Sequence, residues 1–235
     1  SPDSRYIAFA RENNLFLHKL DFGTESAITK DGEFGKIING TPDWVYEEEF
    51  VNTRYFVFSP DSKLLAFVRF DETAVPSYQM QRYLESPLKQ DEMPLYPVFQ
   101  SFKYPKPGQP NSKVSVCVYD DFYKSVRTIN LGVDDAEFYI PRIKWTKEQD
   151  KLAVFVLNRN QNRLDMIYSH PKSLVSKLIL RDEDKYYVDF ENIDDVNFSD
   201  DGKFFTFVSE RNGWRHAYLY NVNGILQKQL ALGDF

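Results

Sequence analysis

Phe58-Ser59-Pro60-Asp61-Ser62-Lys63-Leu64-Leu65-Ala66-Phe67-Val68 reads as a strand, a tight turn and a second strand, with Pro60 and Asp61 supplying the turn. The unit recurs. Ser1-Pro2-Asp3-Ser4-Arg5-Tyr6-Ile7-Ala8-Phe9-Ala10 repeats it, and so does Asn197-Phe198-Ser199-Asp200-Asp201-Gly202-Lys203-Phe204-Phe205-Thr206-Phe207. A looser copy runs from Ile143 to Phe155, with Thr146 where the others carry serine. Polar turns then lead into further strands: Asn13-Asn14 before Leu15 to Leu20, Asn158 to Asn162 before Leu164 to Tyr168, and Asn212-Gly213 before Trp214 to Tyr220. In the last unit Asn223-Gly224 precedes one more, Ile225 to Leu230. Modules of this kind are small antiparallel sheets that cannot bury their own faces. They predict an all-β chain, a partial β-propeller of about four blades, each a four-stranded antiparallel sheet. The only helix predicted is a turn near Glu47 to Glu49.

The turn residues Ser1, Ser59, Thr146 and Ser199 are unevenly spaced, and the middle interval is longer than the others by roughly 30 residues. Seven of the 12 prolines fall between Pro76 and Pro110. Proline removes ladder donors, so this stretch predicts an arm or edge hairpin leaving its blade, at about residues 77–101, with a long plain loop as the alternative.

Composition narrows the function. A net charge of -6 lacks the clustered Lys and Arg that phosphate binding needs, which argues against nucleic acid and suits a cationic ligand. A single cysteine, Cys117, allows neither an internal disulfide nor a cysteine-based zinc site, and no metal or other cofactor is predicted. No apolar run is long enough to span a membrane, and Ser1-Pro2-Asp3 reads as the start of a piece cut from a longer chain. His18 and His216 fall in predicted strands and His170 in a turn before Pro171, which reads as structural for all three. There is no Gly-x-Ser-x-Gly elbow and no phosphate-cradling glycine loop, so no catalytic residue is predicted here.

The unusual segment is Asp43-Trp44-Val45-Tyr46-Glu47-Glu48-Glu49-Phe50. Three adjacent carboxylates repel one another, and aromatic surroundings raise that cost by desolvation, so a bound cation would be valuable. A helical turn or a bulge lets consecutive glutamates converge on one point, whereas a strand sends them to opposite faces. An ammonium carries three N–H donors, enough to bridge two carboxylates. The other reading is a solvated acidic turn, since charge runs usually face water.

That string, followed by the Phe58 to Val68 repeat, Thr73-Ala74-Val75-Pro76 and Tyr104-Pro105-Lys106-Pro107-Gly108, resembles the dipeptidyl peptidase IV family in order and spacing. Arg159-Asn160-Gln161-Asn162 and Gly213-Trp214-Arg215-His216 fit as well, so the resemblance covers nearly the whole chain, with a bacterial character because the cysteine-rich pattern of animal members is missing. It implies that residues 1–235 are a fragment of the N-terminal, eight-bladed propeller of a serine exopeptidase that releases X-Pro or X-Ala dipeptides. The catalytic α/β-hydrolase domain and one anchoring arginine would lie outside this chain. Glu48 and Glu49 match the pair that holds the substrate's α-amino group. Phe190, in Tyr186 to Asn192, is the candidate for an aromatic wall beside the substrate, with a core position as its alternative. The partners implied are peptides with a free amino terminus and a second copy of the full-length enzyme, met through the arm and the catalytic domain. The implied location is periplasmic, cell-surface or secreted. The competing class is a propeller that serves purely as an interaction platform, for which the Glu48-Glu49 pair has no evident use.

Overall fold

A computed structural model describes residues 1–83, 96–134 and 137–233. The first sheet is a meander of β1 (Tyr6–Arg11), β2 (Asn14–Lys19) and β3 (Thr24–Ala27). The chain then makes β4 (Ile37–Asn39), a helical turn α1 (Trp44–Glu48), β5 (Phe56–Phe58), β6 (Leu64–Asp71), β7 (Ser77–Arg82), β8 (Val98–Lys103), β9 (Lys113–Asp120) and β10 (Ser125–Thr128). Strands β10, β9 and β6 pair in that order, β4 and β5 both pair with β6, and among the described residues β7 and β8 pair only with each other. Two four-stranded meanders follow: β11 (Phe138–Trp145), β12 (Leu152–Asn158), β13 (Arg163–Ser169) and β14 (Ser176–Glu183), then β15 (Asn197–Phe198), β16 (Phe204–Ser209), β17 (His216–Asn221) and β18 (Leu226–Gln229). These four sheets are the blades that the repeats predict, though the first has three strands among the described residues and not the expected four, and α1 is the only α-helix among the described residues.

The repeated turn works through one hydroxyl. In the second blade Ser59 Oγ donates to Asp61 (2.7 Å) and accepts from Leu64 N (3.0 Å), while Ser62 N reaches Ser59 O (2.9 Å). Ser199, Asp201, Gly202 and Phe204 reproduce these bonds in the last blade, and Ser1, Asp3, Ser4 and Tyr6 do so in the first. The fourth residue of the turn has positive φ in each case: Ser4, Ser62 and Gly202. The sequence therefore repeats because the same buried turn donors must be satisfied each time. Thr146 makes a reduced version, accepting from Glu148 N at 3.1 Å.

Apolar faces of adjacent blades close on each other. One core cluster joins residues of the second, third and fourth sheets, among them Phe70, Val118, Ile140, Phe155, Phe205 and Phe207, and a smaller one joins Leu15 and Leu17 of the first sheet to Leu65 and Phe67 of the second. Trp145 Nε1 donates to Val57 O across the second interface at 3.0 Å.

The second blade departs from the repeat in two further ways. Strands β4 and β5 are two halves of one strand: Gly40 N bonds Val68 O (3.0 Å), Tyr55 N bonds Gly40 O (2.8 Å) and Val68 N bonds Tyr55 O (2.9 Å), so residues 41–54 leave and return at a single rung. Gly40 has φ +76, and a Cβ there would meet Leu15 and Phe56 side chains at 3.0 and 3.2 Å, so the exit needs glycine. The second departure is the β7–β8 hairpin, whose register runs from Ser77 opposite Lys103 to Arg82 opposite Val98. Its strands are exposed along almost their whole length. Residues 84–95 of the expected arm lie outside the described residues. Among the described residues no helix is long and apolar enough to cross a membrane.

Candidate functional site

The acidic string is helical because Asp43 caps the start of α1, which closes at its C-cap Glu49. Asp43, extended at φ -80, caps the turn by accepting from Tyr46 N (3.0 Å). Its other carboxylate oxygen receives Ser112 Oγ at 2.5 Å, which ties the helix start to the strand returning from the hairpin. Burial pushes the Asp43 carboxyl above its usual range, against the opposing pull of the Ser112, Tyr46 and Val45 hydrogen bonds. Tyr46 and Phe50, one turn apart, are both buried, with ring centroids 5.0 Å apart. Glu47, Glu48 and Glu49 therefore occupy the outer arc, and all three are exposed. The turn stops at Val51, a β-branched residue held at φ 48.

Two clefts flank this turn. One of about 290 Å³ is walled by Trp44, Glu49, Tyr104, Pro105, Tyr139 and Arg159. The other, about 400 Å³, lies toward the hairpin and is lined in part by Asp43, Glu47, Glu72, Met80 and Lys103. Trp44 stands between them against Tyr104 (4.3 Å between centroids). Glu72, buried there, also has its carboxyl raised, first by desolvation and then by the nearby Asp43 charge. A larger cleft of about 640 Å³ lies among turn residues of the second and third blades, such as Asp61 and Lys147, away from the acidic string. Among the described residues no cluster of three or more His, Cys, Asp or Glu side chains could hold a metal ion.

Of the residues singled out from sequence, Glu49 borders the cleft of about 290 Å³, Glu47 that of about 400 Å³, and Glu48 is exposed between them in sequence. Phe190 opens a 3₁₀ turn, Phe190–Ile193, whose start is capped by the Asp189 side chain. Its ring meets the Phe50 ring edge-on at 5.1 Å and packs partly against the core, so it is at once a core contact and a neighbour of the residue that follows Glu49. His18 and His216 lie in strands, and His170 Nδ1 accepts from Lys172 N and Ser173 N in its turn.

Sequence reasoning missed the partner of this turn. In β11 the register slips between Tyr139 and Arg142, leaving Ile140 and Pro141 as a bulge. The bulge frees Ile140 N to donate to Tyr46 Oη (2.9 Å) and Pro141 O to accept from Tyr55 Oη (3.0 Å). Arg142 then donates to Phe50 O (2.8 Å) and holds Asp194 with both arms of its guanidinium (2.8 and 2.9 Å). A proline inside an eight-residue strand was the available signal, because Pro is confined to edges and bulges.

An antiparallel propeller segment whose second blade expels an acidic, aromatic-backed helical turn is a repeat scaffold with one elaborated strand. Residues 1–235 match the family described as the Dipeptidyl peptidase IV (DPP IV) N-terminal region, and the chain belongs to that family. Dipeptidyl peptidase 4 of Trichophyton tonsurans is 33% identical over all of this chain and 30% of its own length. The crystal structure of Porphyromonas gingivalis dipeptidyl peptidase 4 matches with a TM-score of 0.92 at 46% identity, over 99% of this chain and 32% of that one. A Bacteroides ovatus structure shares the fold, with a TM-score of 0.79 at 22% identity over 97% of this chain and 32% of its own. The chain thus spans about a third of the relatives it matches.

Proposed function

We propose that this chain is the substrate-binding and gating region of a serine dipeptidyl peptidase that removes X-Pro or X-Ala from free amino termini, with Glu48 and Glu49 anchoring the α-ammonium. The observation that carries the reading is the helical turn itself. Glu48 and Glu49 are consecutive and exposed on it while Tyr46 and Phe50 are buried, and Glu49 borders a cleft with aromatic walls. An ammonium clasped at a fixed point sets how far a peptide reaches toward a nucleophile elsewhere in the intact protein, so cleavage falls after the second residue. Phe190 would form part of the wall beside that residue. The exposed Tyr78, Met80, Val98 and Phe99 of the hairpin support its meeting a second copy in the intact enzyme. Export to the periplasm, cell surface or medium completes the reading.

Losing one member of a desolvated, hydrogen-bonded charge pair costs about 2 to 5 kcal/mol. In the intact protein Glu48→Gln and Glu49→Gln are therefore expected to lower kcat/KM on a Gly-Pro chromogenic substrate by roughly thirtyfold to several thousandfold, and Glu47→Gln by less. Near-normal activity in the first two variants, folded, would leave only a solvated acidic turn and favour the interaction-platform reading.

A further inference from the structure

The acidic turn and the Phe190 turn belong to different blades, and a third blade joins them through one side chain. Arg142, on β11, has a largely buried side chain, 14% exposed, whose guanidinium makes bonds in two directions. Toward the second blade Nη1 donates to the carbonyl of Phe50, the residue just past the C-cap Glu49 of the turn. Toward the fourth blade Nε and Nη2 grip both oxygens of Asp194, the residue that caps the end of the Phe190–Ile193 turn. Its guanidinium carbon also stands 5.7 Å from the centre of the Phe190 ring. The residue after Phe50 is Val51, held in the left-handed region that disfavours β-branched side chains. A segment strained at that point keeps its shape only while something holds it, and the bond to Phe50 O is a hold of this kind.

We propose that Arg142 is a positioning residue for amino-terminus recognition: by bonding Phe50 O and Asp194 together it fixes Glu49 relative to Phe190, and so sets the width of the site between carboxylate anchor and aromatic wall. This rests on the reading of Glu48 and Glu49 as the anchor. The fork geometry matters, because a planar guanidinium reaches a carboxylate with two parallel bonds and still has an N–H for the carbonyl, whereas a lysine ammonium offers a point charge on a flexible stem. The Coulombic part of the Asp194 pair adds little because that carboxylate is half exposed; what the pair supplies is direction.

The test uses the intact enzyme and a Gly-Pro chromogenic substrate, with kcat and KM measured for Arg142→Met, Arg142→Lys, Glu49→Gln and the Arg142→Met/Glu49→Gln double variant. Misplacing a binding group by about an ångström costs up to roughly a hundredfold. Arg142→Met is accordingly expected to raise KM roughly tenfold to a hundredfold with kcat changed far less, Arg142→Lys to recover part of the loss, and the double variant to be little worse than Glu49→Gln alone. A purely structural arginine would lower the active fraction, and with it kcat, leaving KM alone. That result, or losses that multiply in the double variant, overturns the proposal while the lowered kcat/KM of Glu49→Gln keeps the anchor reading standing. A kcat/KM of folded Glu49→Gln near that of the wild type overturns both. If Arg142→Met does not fold, Asp194→Asn, at a half-exposed site, must raise KM several-fold, and an unchanged KM there overturns the proposal equally.

Discussion

Asp43 shows how one residue can be read correctly as unusual and still have its work missed. The sequence places it at the head of the acidic string, where an aspartate is a helix N-cap candidate. What no local pattern reveals is Ser112, far along the chain, on its second oxygen. The burial that results raises its carboxyl in the folded state, so in the window between the ordinary aspartate value and the raised one the native protein holds a proton that the unfolded chain has released. Stability contributed by this group therefore falls as pH rises through that window, and the penalty is fully present above it. Asparagine caps a helix as well as aspartate and has no charge to desolvate. In denaturant melts of the intact protein, Asp43→Asn should gain on wild type as pH rises through the window, whereas Asp43→Ala, lacking the cap, should lose about 1 to 2 kcal/mol at neutral pH. A difference between Asp43→Asn and wild type that stays flat with pH would show that the carboxylate is not desolvated. The Glu47-Glu48-Glu49 run drew notice for a different reason, because three adjacent carboxylates are rare, but the residues alone fit a solvated turn equally well and only the family resemblance singles out Glu48 and Glu49.

At the scale of elements, strands bounded by the serine turns were readable because turn and strands lie within a few residues of each other. The split strand was not, since β4 and β5 are each three residues long and acquire their identity from β6, with which both pair. The β11 bulge was half readable, from Pro141 alone. Its two freed backbone groups now face two tyrosines, and they should not be equally costly to abandon. Tyr46→Phe leaves Ile140 N–H buried without its acceptor, a loss of about 1 to 3 kcal/mol. Tyr55→Phe removes one donor from Pro141 O, which keeps Arg142 Nη1 at 2.9 Å, so about 0.5 to 1.5 kcal/mol is expected. Chemical denaturation of the two variants at fixed pH measures the order, and a larger loss for Tyr55→Phe would mean that the bulge is not the receptor for the acidic turn.

The whole molecule was legible as a count of modules and illegible as a body, because repeats announce how many sheets there are while the seams between sheets are made by residues distant in sequence. Those seams are uneven. Strand β12 lies between two partners and is buried from Leu152 to Leu157, at the middle of the core that runs through the second, third and fourth blades. The β7–β8 hairpin lies outside that core, pairs among the described residues with nothing but itself, and has both faces wet. Amides open locally at a cost that ranges from almost nothing in such exposed ladders to the global stability in central strands, which for folded domains is about 5 to 15 kcal/mol. Hydrogen exchange on the intact protein should therefore find β12 amides slower than those of Ser77–Arg82 and Val98–Lys103 by roughly a thousandfold or more, with β3, exposed along most of its length, nearer the hairpin than the core. A second copy seated on the hairpin would protect that ladder in a concentration-dependent way, so exchange measured at two protein concentrations separates intrinsic weakness from a covered interface. Hairpin amides as slow as β12 at the lowest concentration would mean that the arm is held by its own blade, and its availability to a partner would fail with that result.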